Sequence, residues 1–260
     1  MQRSVSYTIF FAAVVCLVCA VFVSVSAVSL KTRQDENAFV DKQRNVLIAA
    51  GLASEGEVLT REEIQERFGP IQSVVVDLQS GEELTDVDPE TFDQRQRASD
   101  PQTSRAASDN PAGIVRIPHQ ALVYLLMDND ELGLVILPIE GKGLWSTLYG
   151  FISLDPDLET IRGITFYEHK ETPGLGGEVD NPRWKALWPG RRAFGEGGEG
   201  APRIEVIRGR AGPPAEDPYR VDGLSGATIT SRGVGRLVRF WLGDEGFLPF
   251  LNMLRKESRG

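Results

Sequence analysis

Histidine and cysteine are nearly missing from this chain of 260 residues, with two of each. No His-Glu-x-x-His run and no Cys/His cluster occurs, so a zinc or iron site built from protein ligands is not expected. Both cysteines, Cys16 and Cys19, lie in the apolar N-terminal stretch. There a Cys-x-x-Cys spacing is read as two small apolar side chains rather than a redox pair. The rest of the chain, lacking cysteine, has no disulfides and suits either redox compartment. Basic runs are absent too. The formal net charge is −9 and no stretch of five cations interrupts it, which argues against binding nucleic-acid phosphates. Gly-x-Ser-x-Gly, the P-loop and a Gly-x-Gly-x-x-Gly after a strand are all missing. Without them the chain lacks the means for hydride or acyl chemistry of its own, and any redox role needs a bound cofactor.

One long apolar run is present. Residues 7–30 carry no charge, and a helix of about 24 residues is roughly 36 Å long, enough for a hydrocarbon core of about 30 Å. A cleaved signal peptide is the rival reading, with Val25-Ser26-Ala27 as its cleavage site. The run exceeds the usual signal core of about 7–15 residues, which favours a retained anchor. Charge does not fix its orientation, since Arg3 precedes it and Lys31 and Arg33 follow. The chain therefore divides into an anchor over residues 1–34, a helical and polar connecting region of the soluble domain over 35–110, and a main domain over 111–260.

Within the soluble part, residues 35–52 read as a helix with Gly51 near its C-cap. A second helix opens at Thr60, where Glu63 completes a capping box. Residues 73–78 suit a strand. Residues 80–110 are polar and read as loop, short helix or mobile excursion. Strand-like runs follow over 122–127, 134–138, 149–154 and 161–167, with the turn Asp128-Asn129-Asp130 among them. These spacings fit an antiparallel meander better than βαβ units. Asn181-Pro182 marks the start of a short helix, residues 194–202 a Gly-rich surface loop, and residues 204–207 a further strand. Val234, Leu237, Val238, Trp241 and Leu242 form one apolar helical face over 232–242, with Thr230 or Ser231 as N-cap. The class is α+β.

The candidate chemistry lies just before that last helix, in Asp222-Gly223-Leu224-Ser225-Gly226-Ala227-Thr228-Ile229-Thr230. A hydroxyl-rich loop opening a helix suits a phosphate, because free backbone N–H groups and the positive dipole end meet there. An ordinary turn and cap is the plainer alternative. The run resembles the flavinylation motif Asp-x-x-Ser/Thr-Gly-Ala-Thr, whose last residue a dedicated flavin transferase esterifies with the phosphate of FMN. Residues 41–52 (DKQRNVLIAAGL), 137–154 (LPIEGKGLWSTLYGFISL), 160–190 and the ending WLGDEGFLPFL resemble the C subunit of the sodium-translocating NADH:quinone reductase family. Together these cover well over half the chain in the expected order.

The resemblance implies an FMN-binding domain over 111–260 on a single N-terminal transmembrane helix, with FMN joined to Thr228 by a phosphoester. Ser225, Thr230 and the amides of the next turn are candidate phosphate donors. Gly226 and Ala227 leave room for the transferase, and Asp222 is either recognised by that enzyme or caps the loop. In Glu171-Thr172-Pro173-Gly174-Leu175-Gly176-Gly177, the residues Thr172, Leu175 and Gly176 are candidate ring contacts; a tight structural turn is the alternative. Trp145 covers the ring or joins the core. Lys142, Arg232 and Arg236 can offset phosphate charge or simply be solvated, and His169 reads as structural or surface. The family role implied is electron relay from an iron–sulfur centre of the membrane-embedded D and E subunits to the flavin of the B subunit, toward ubiquinone. The whole six-subunit assembly would export sodium, with this domain on the periplasmic side of the bacterial inner membrane. The alternatives are the G subunit of the related ferredoxin:NAD oxidoreductase complex and a non-redox anchored scaffold.

Overall fold

The computed structural model describes residues 4–129, 131–198 and 200–258, so Asp130 of the expected turn lies outside it. The chain divides into two units, Met1–Gln43 and Arg44–Gly260. The first consists of helix α1 (Val5–Ala49), whose last residues belong to the second unit. Its stretch Val5–Lys31 is long and apolar enough to cross a membrane, and none of its most apolar window is buried. The separate helix expected over 35–52 is instead the end of α1. No glycine or proline stands between residues 4 and 50 to stop it. Gly51, at φ 72°, ends it in the left-handed conformation that glycine adopts without a Cβ penalty.

The second unit is built on one five-stranded antiparallel sheet. Its strands are β1 (Ile71–Asp77), β4 (Gln120–Asp128), β5 (Glu131–Lys142), β6 (Thr147–Leu154) and β7 (Ile161–Glu168), in the order β1-β4-β5-β6-β7. The expected meander is thus present, and β1 pairs in register along β4, Val74 opposite Val123. The strands read as near-continuous apolar runs because both faces are covered. Val135, Leu137, Ile139, Leu148 and Ile152 share one face and its core with Val234, Leu237, Val238 and Trp241 of helix α5 (Thr228–Trp241). Alternate residues Tyr124, Ile136 and Phe151 point the other way, where Val46, Leu47 and Ile64 are also buried. Tyr124 stacks edge-on between Phe68 and Phe151, 6.0 and 5.9 Å away. Ser153 donates its hydroxyl to the Ala49 carbonyl, and Gly163 admits that carbonyl because a Cβ would come within 2.5 Å of it.

Helix α2 (Arg61–Phe68) opens with the expected box: Thr60 Oγ1 accepts from the Glu63 amide at 3.2 Å, and Glu63 Oε2 from the Thr60 amide at 2.7 Å. The polar segment 80–110 holds helix α3 (Gln94–Ser99) and strand β2 (Ser104–Ala106), the latter paired with β3 (Arg116–Pro118). Asn181 caps the single turn α4 (Pro182–Lys185). The expected strand over 204–207 shortens to β8 (Glu205–Val206), paired in parallel with β9 (Arg220–Val221). The loop over 194–202 is not wholly superficial, since Phe194 is buried beneath the Arg255 guanidinium, 5.0 Å from its ring. Arg255 lies on α6 (Leu248–Glu257), a helix that the apolar spacing of the sequence did not lead us to expect.

Candidate functional site

Three segments meet at the N-terminal end of α5: the β5–β6 turn over 142–146, the loop over 171–177, and the loop over 222–228. Helix α5 begins earlier than expected, at Thr228, with Ala227 as N-cap and no side-chain cap bond. Thr230 and Ser231 lie inside the first turn and are buried. Their hydroxyls serve tertiary bonds rather than the cap: Ser231 Oγ accepts from the Leu224 amide at 2.8 Å, and Thr230 Oγ1 donates to Glu171 Oε2 at 2.7 Å. Thr230 is therefore committed elsewhere as a phosphate donor in this arrangement. Thr228 and Ser225, by contrast, are exposed.

Glu171 is the residue at which the segments join, a role that nothing in its local sequence signals. It is 5% exposed. Its Oε1 accepts from the amides of Leu144, Trp145 and Ser146 at 3.1, 2.9 and 3.3 Å, while Oε2 takes the Thr230 hydroxyl. Burial pushes its pKa up, but the Thr230 hydroxyl and the three amides outweigh that and hold the carboxyl below its usual value. Gly176 must be glycine here, for a Cβ would stand 2.5 Å from Glu171 Oε2 and 2.7 Å from Thr230 Oγ1. His169 is structural: Nε2 faces Asp180 Oδ2 at 2.7 Å and Nδ1 accepts from the Glu171 amide at 3.2 Å.

On one side of Thr228 lies a groove of about 220 Å³, lined also by Ser231, Arg232, Ile207, Arg208 and Gly223, with Glu205 as its one carboxylate. Arg208 and Arg232 are exposed, and neither guanidinium has a hydrogen-bond or ion-pair partner among the described residues. Arg208 was missed because only the return of β8 alongside α5 brings it to the groove. Arg236 lies a turn further along α5 and does not line it, and the Lys142 side chain runs beside Gly113. Asp222 is tied into its loop, Oδ1 accepting from the Ala211 amide at 2.8 Å and its carbonyl from Trp184 Nε1 at 2.8 Å.

The rim is apolar. Leu144, Trp145, Leu175 and Ile229 are 42, 69, 45 and 56% exposed. Outside α1, the other exposed large apolar residues among those described are only Val58, Val115 and Tyr167. An apolar cluster left uncovered in this way marks a binding surface, and at 69% exposure Trp145 is not part of the core. Leu175 leans over Gly226 (φ 74°), where a Cβ would meet its Cδ2 at 3.0 Å. Thr172 is exposed, its carbonyl accepting from the Leu175 and Gly177 amides at 3.1 and 2.9 Å to fold the loop. A reachable hydroxyl, two unpartnered guanidinium groups and an apolar rim together fit a phosphorylated aromatic cofactor such as FMN.

The sequence model of the FMN-binding domain family matches residues 143–243, which contain all three segments except Lys142. The fold and site thus define an FMN-binding flavoprotein with one helix fit to span a membrane. The chain is 47% identical over 257 residues to the C subunit of the Na(+)-translocating NADH-quinone reductase of Yersinia pestis, covering 97% of this chain and 94% of that one. The protein of the same name from Pseudomonas aeruginosa is 47% identical over 259 residues, covering 98% of each. The crystal structure of Shewanella oneidensis NqrC superposes with a TM-score of 0.73 at 37% identity, covering 83% of this chain and 97% of that one. The chain belongs to the NqrC family, the C subunits of the Na+-translocating NADH-quinone reductases.

Proposed function

We propose that Thr228 carries FMN as a covalent phosphoester and that the domain relays single electrons inside the Na+-translocating complex. The observation that carries this reading is the exposed Thr228 hydroxyl at the start of α5, placed between a groove with two unpartnered arginines and an apolar rim. Arg208, Arg232 and the first-turn amides would hold the phosphate. Ser225 would assist from the preceding turn. Leu175 and Trp145 would flank the ring, with Thr172 and the backbone at Gly176 beside it. When bound, FMN supplies the redox chemistry, and the chain supplies attachment, orientation and a local field. Asp222, bonded through only one carboxylate oxygen to the Ala211 amide, would present its other oxygen to the flavin transferase. Gly226 and Ala227 would keep the approach to the hydroxyl clear.

A tethered cofactor suits a relay, since a carrier that exchanges its flavin interrupts the chain. In this reading electrons arrive from the iron–sulfur centre of the D and E subunits and leave to the flavin of the B subunit, toward ubiquinone. The five partner subunits complete a translocase that exports sodium across the bacterial inner membrane. The soluble domain faces the periplasm, and α1 is its anchor.

The test is the mass of the intact chain made with and without the flavin transferase. With the enzyme the mass rises by one FMN less water, and Thr228→Ala abolishes the rise while the fold persists, because one exposed hydroxyl contributes little to stability. Bare polypeptide mass in the presence of the active transferase would refute the covalent reading.

A further inference from the structure

The attachment chemistry does not require a carboxylate at Glu171, yet the site is assembled around one. Its two oxygens bind four donors from two other segments, the amides of residues 144–146 and the Thr230 hydroxyl. No cation forms an ion pair with it among the described residues, and its neighbour His169 is turned toward Asp180 and the Glu171 backbone. Amides and a hydroxyl solvate a charge without cancelling it. The result is a fixed negative charge, 5% exposed, beneath the loops that bear Trp145 and Leu175. In such a partly desolvated place a charge is screened far less than on the open surface.

We propose that Glu171 is a positioning residue for electron transfer, whose uncompensated charge opposes the arrival of an electron on the neighbouring flavin ring and so keeps its potential low. The proposal rests on the reading that FMN is attached at Thr228. It assigns the four donors a purpose: they keep the carboxylate ionised and immobile, so that its field on the ring is constant. Glutamine has the same shape and no charge, and serves as the direct test. Thr230→Val does the opposite, retaining the charge and removing one of the dipoles that offset it.

The experiment is spectroelectrochemical titration of the full-length, FMN-loaded chain in detergent, after its mass has shown the flavin attached. At the wild-type midpoint, Glu171→Gln should raise the ratio of reduced to oxidised flavin about tenfold, or about 59 mV for one electron. Thr230→Val should lower that ratio below wild type. A merely structural staple predicts that both variants loosen the same loops and shift the ratio the same way, so shifts of one sign would overturn the proposal. An unchanged ratio in loaded Glu171→Gln would also overturn it while leaving the carrier reading intact. Should Glu171→Gln fail to fold, Thr230→Val decides by its sign: a fall supports the proposal, and a rise or no change refutes it. A wild-type chain without the FMN mass would overturn the carrier reading and this proposal together.

Discussion

Gly141→Ala should loosen the seat of α5 and carry Thr228 with it. Gly141 lies in β5 directly beneath α5, and an added Cβ would stand 2.5 Å from Leu237 Cβ and 3.3 Å from the Ala112 carbonyl oxygen. Neither atom can swing aside by a change of rotamer, because both are fixed by backbone. Carbon atoms rest about 3.8 Å apart, so the helix must back away by about 1.3 Å. Trp241 resists that motion, its Nε1 donating to the Glu140 carbonyl at 2.7 Å one residue along the strand. Overpacking of this kind costs about 1–3 kcal/mol. At about 2–4 °C per kcal/mol for a unit of this size, the melting temperature should fall by about 2–12 °C. Differential scanning fluorimetry of the full chain in detergent reads this directly, and flavin loading by mass should fall with it. The comparison that decides the cause is Leu237→Ala, which leaves Cβ in place. It should add its own cavity cost of about 2–5 kcal/mol rather than rescue Gly141→Ala. A Gly141→Ala melting point within about 1 °C of wild type, or rescue by Leu237→Ala, would refute the rigid-contact argument.

Two further outcomes follow from charges inside the domain. The Glu171 carboxyl is held below its ordinary value in the folded state, so its stabilising effect is present above the unfolded pKa and disappears as pH falls through the folded one. Glu171→Gln should therefore lose stability at pH 7 and approach wild type in acid; urea midpoints at pH 7 and pH 3 differing equally between the two proteins would contradict this. Lys185, 8% exposed, pairs with Glu55 and donates to Thr165 Oγ1 at 3.2 Å. Lys185→Met leaves the half-buried Glu55 carboxylate without its ammonium and should cost about 1–3 kcal/mol, whereas adding Glu55→Leu should recover part of it. A double variant no more stable than the single one, by the same urea measurement, would show that the pair is not the cause.

What the sequence makes legible is whatever is encoded over a few neighbouring residues. The strands of the sheet announce themselves as apolar runs, the Thr60–Glu63 box is a local reciprocal bond, and the apolar face of α5 repeats at helical spacing. The Ser-Gly-Ala-Thr run is legible for the same reason, and the structure leaves Thr228 exposed at the helix start. The hydroxyls beside it are a different matter. Thr228, Thr230 and Ser231 are all competent N-caps by local criteria, and local chemistry does not say which is free. What decides is an acceptor 59 residues away, since Glu171 claims Thr230, while the Leu224 amide claims Ser231. Arg208 is hidden in the same manner, being an ordinary exposed arginine until β8 returns beside α5. The fold thus sorts the hydroxyls in three dimensions: Thr230 and Ser231 are bonded inward, Ser225 and Thr228 are left exposed, and of these two only Thr228 opens the helix and lines the groove. That sorting depends on the same buried carboxylate that holds the turn over 144–146, so Glu171→Ala should free the Thr230 hydroxyl and loosen that turn together.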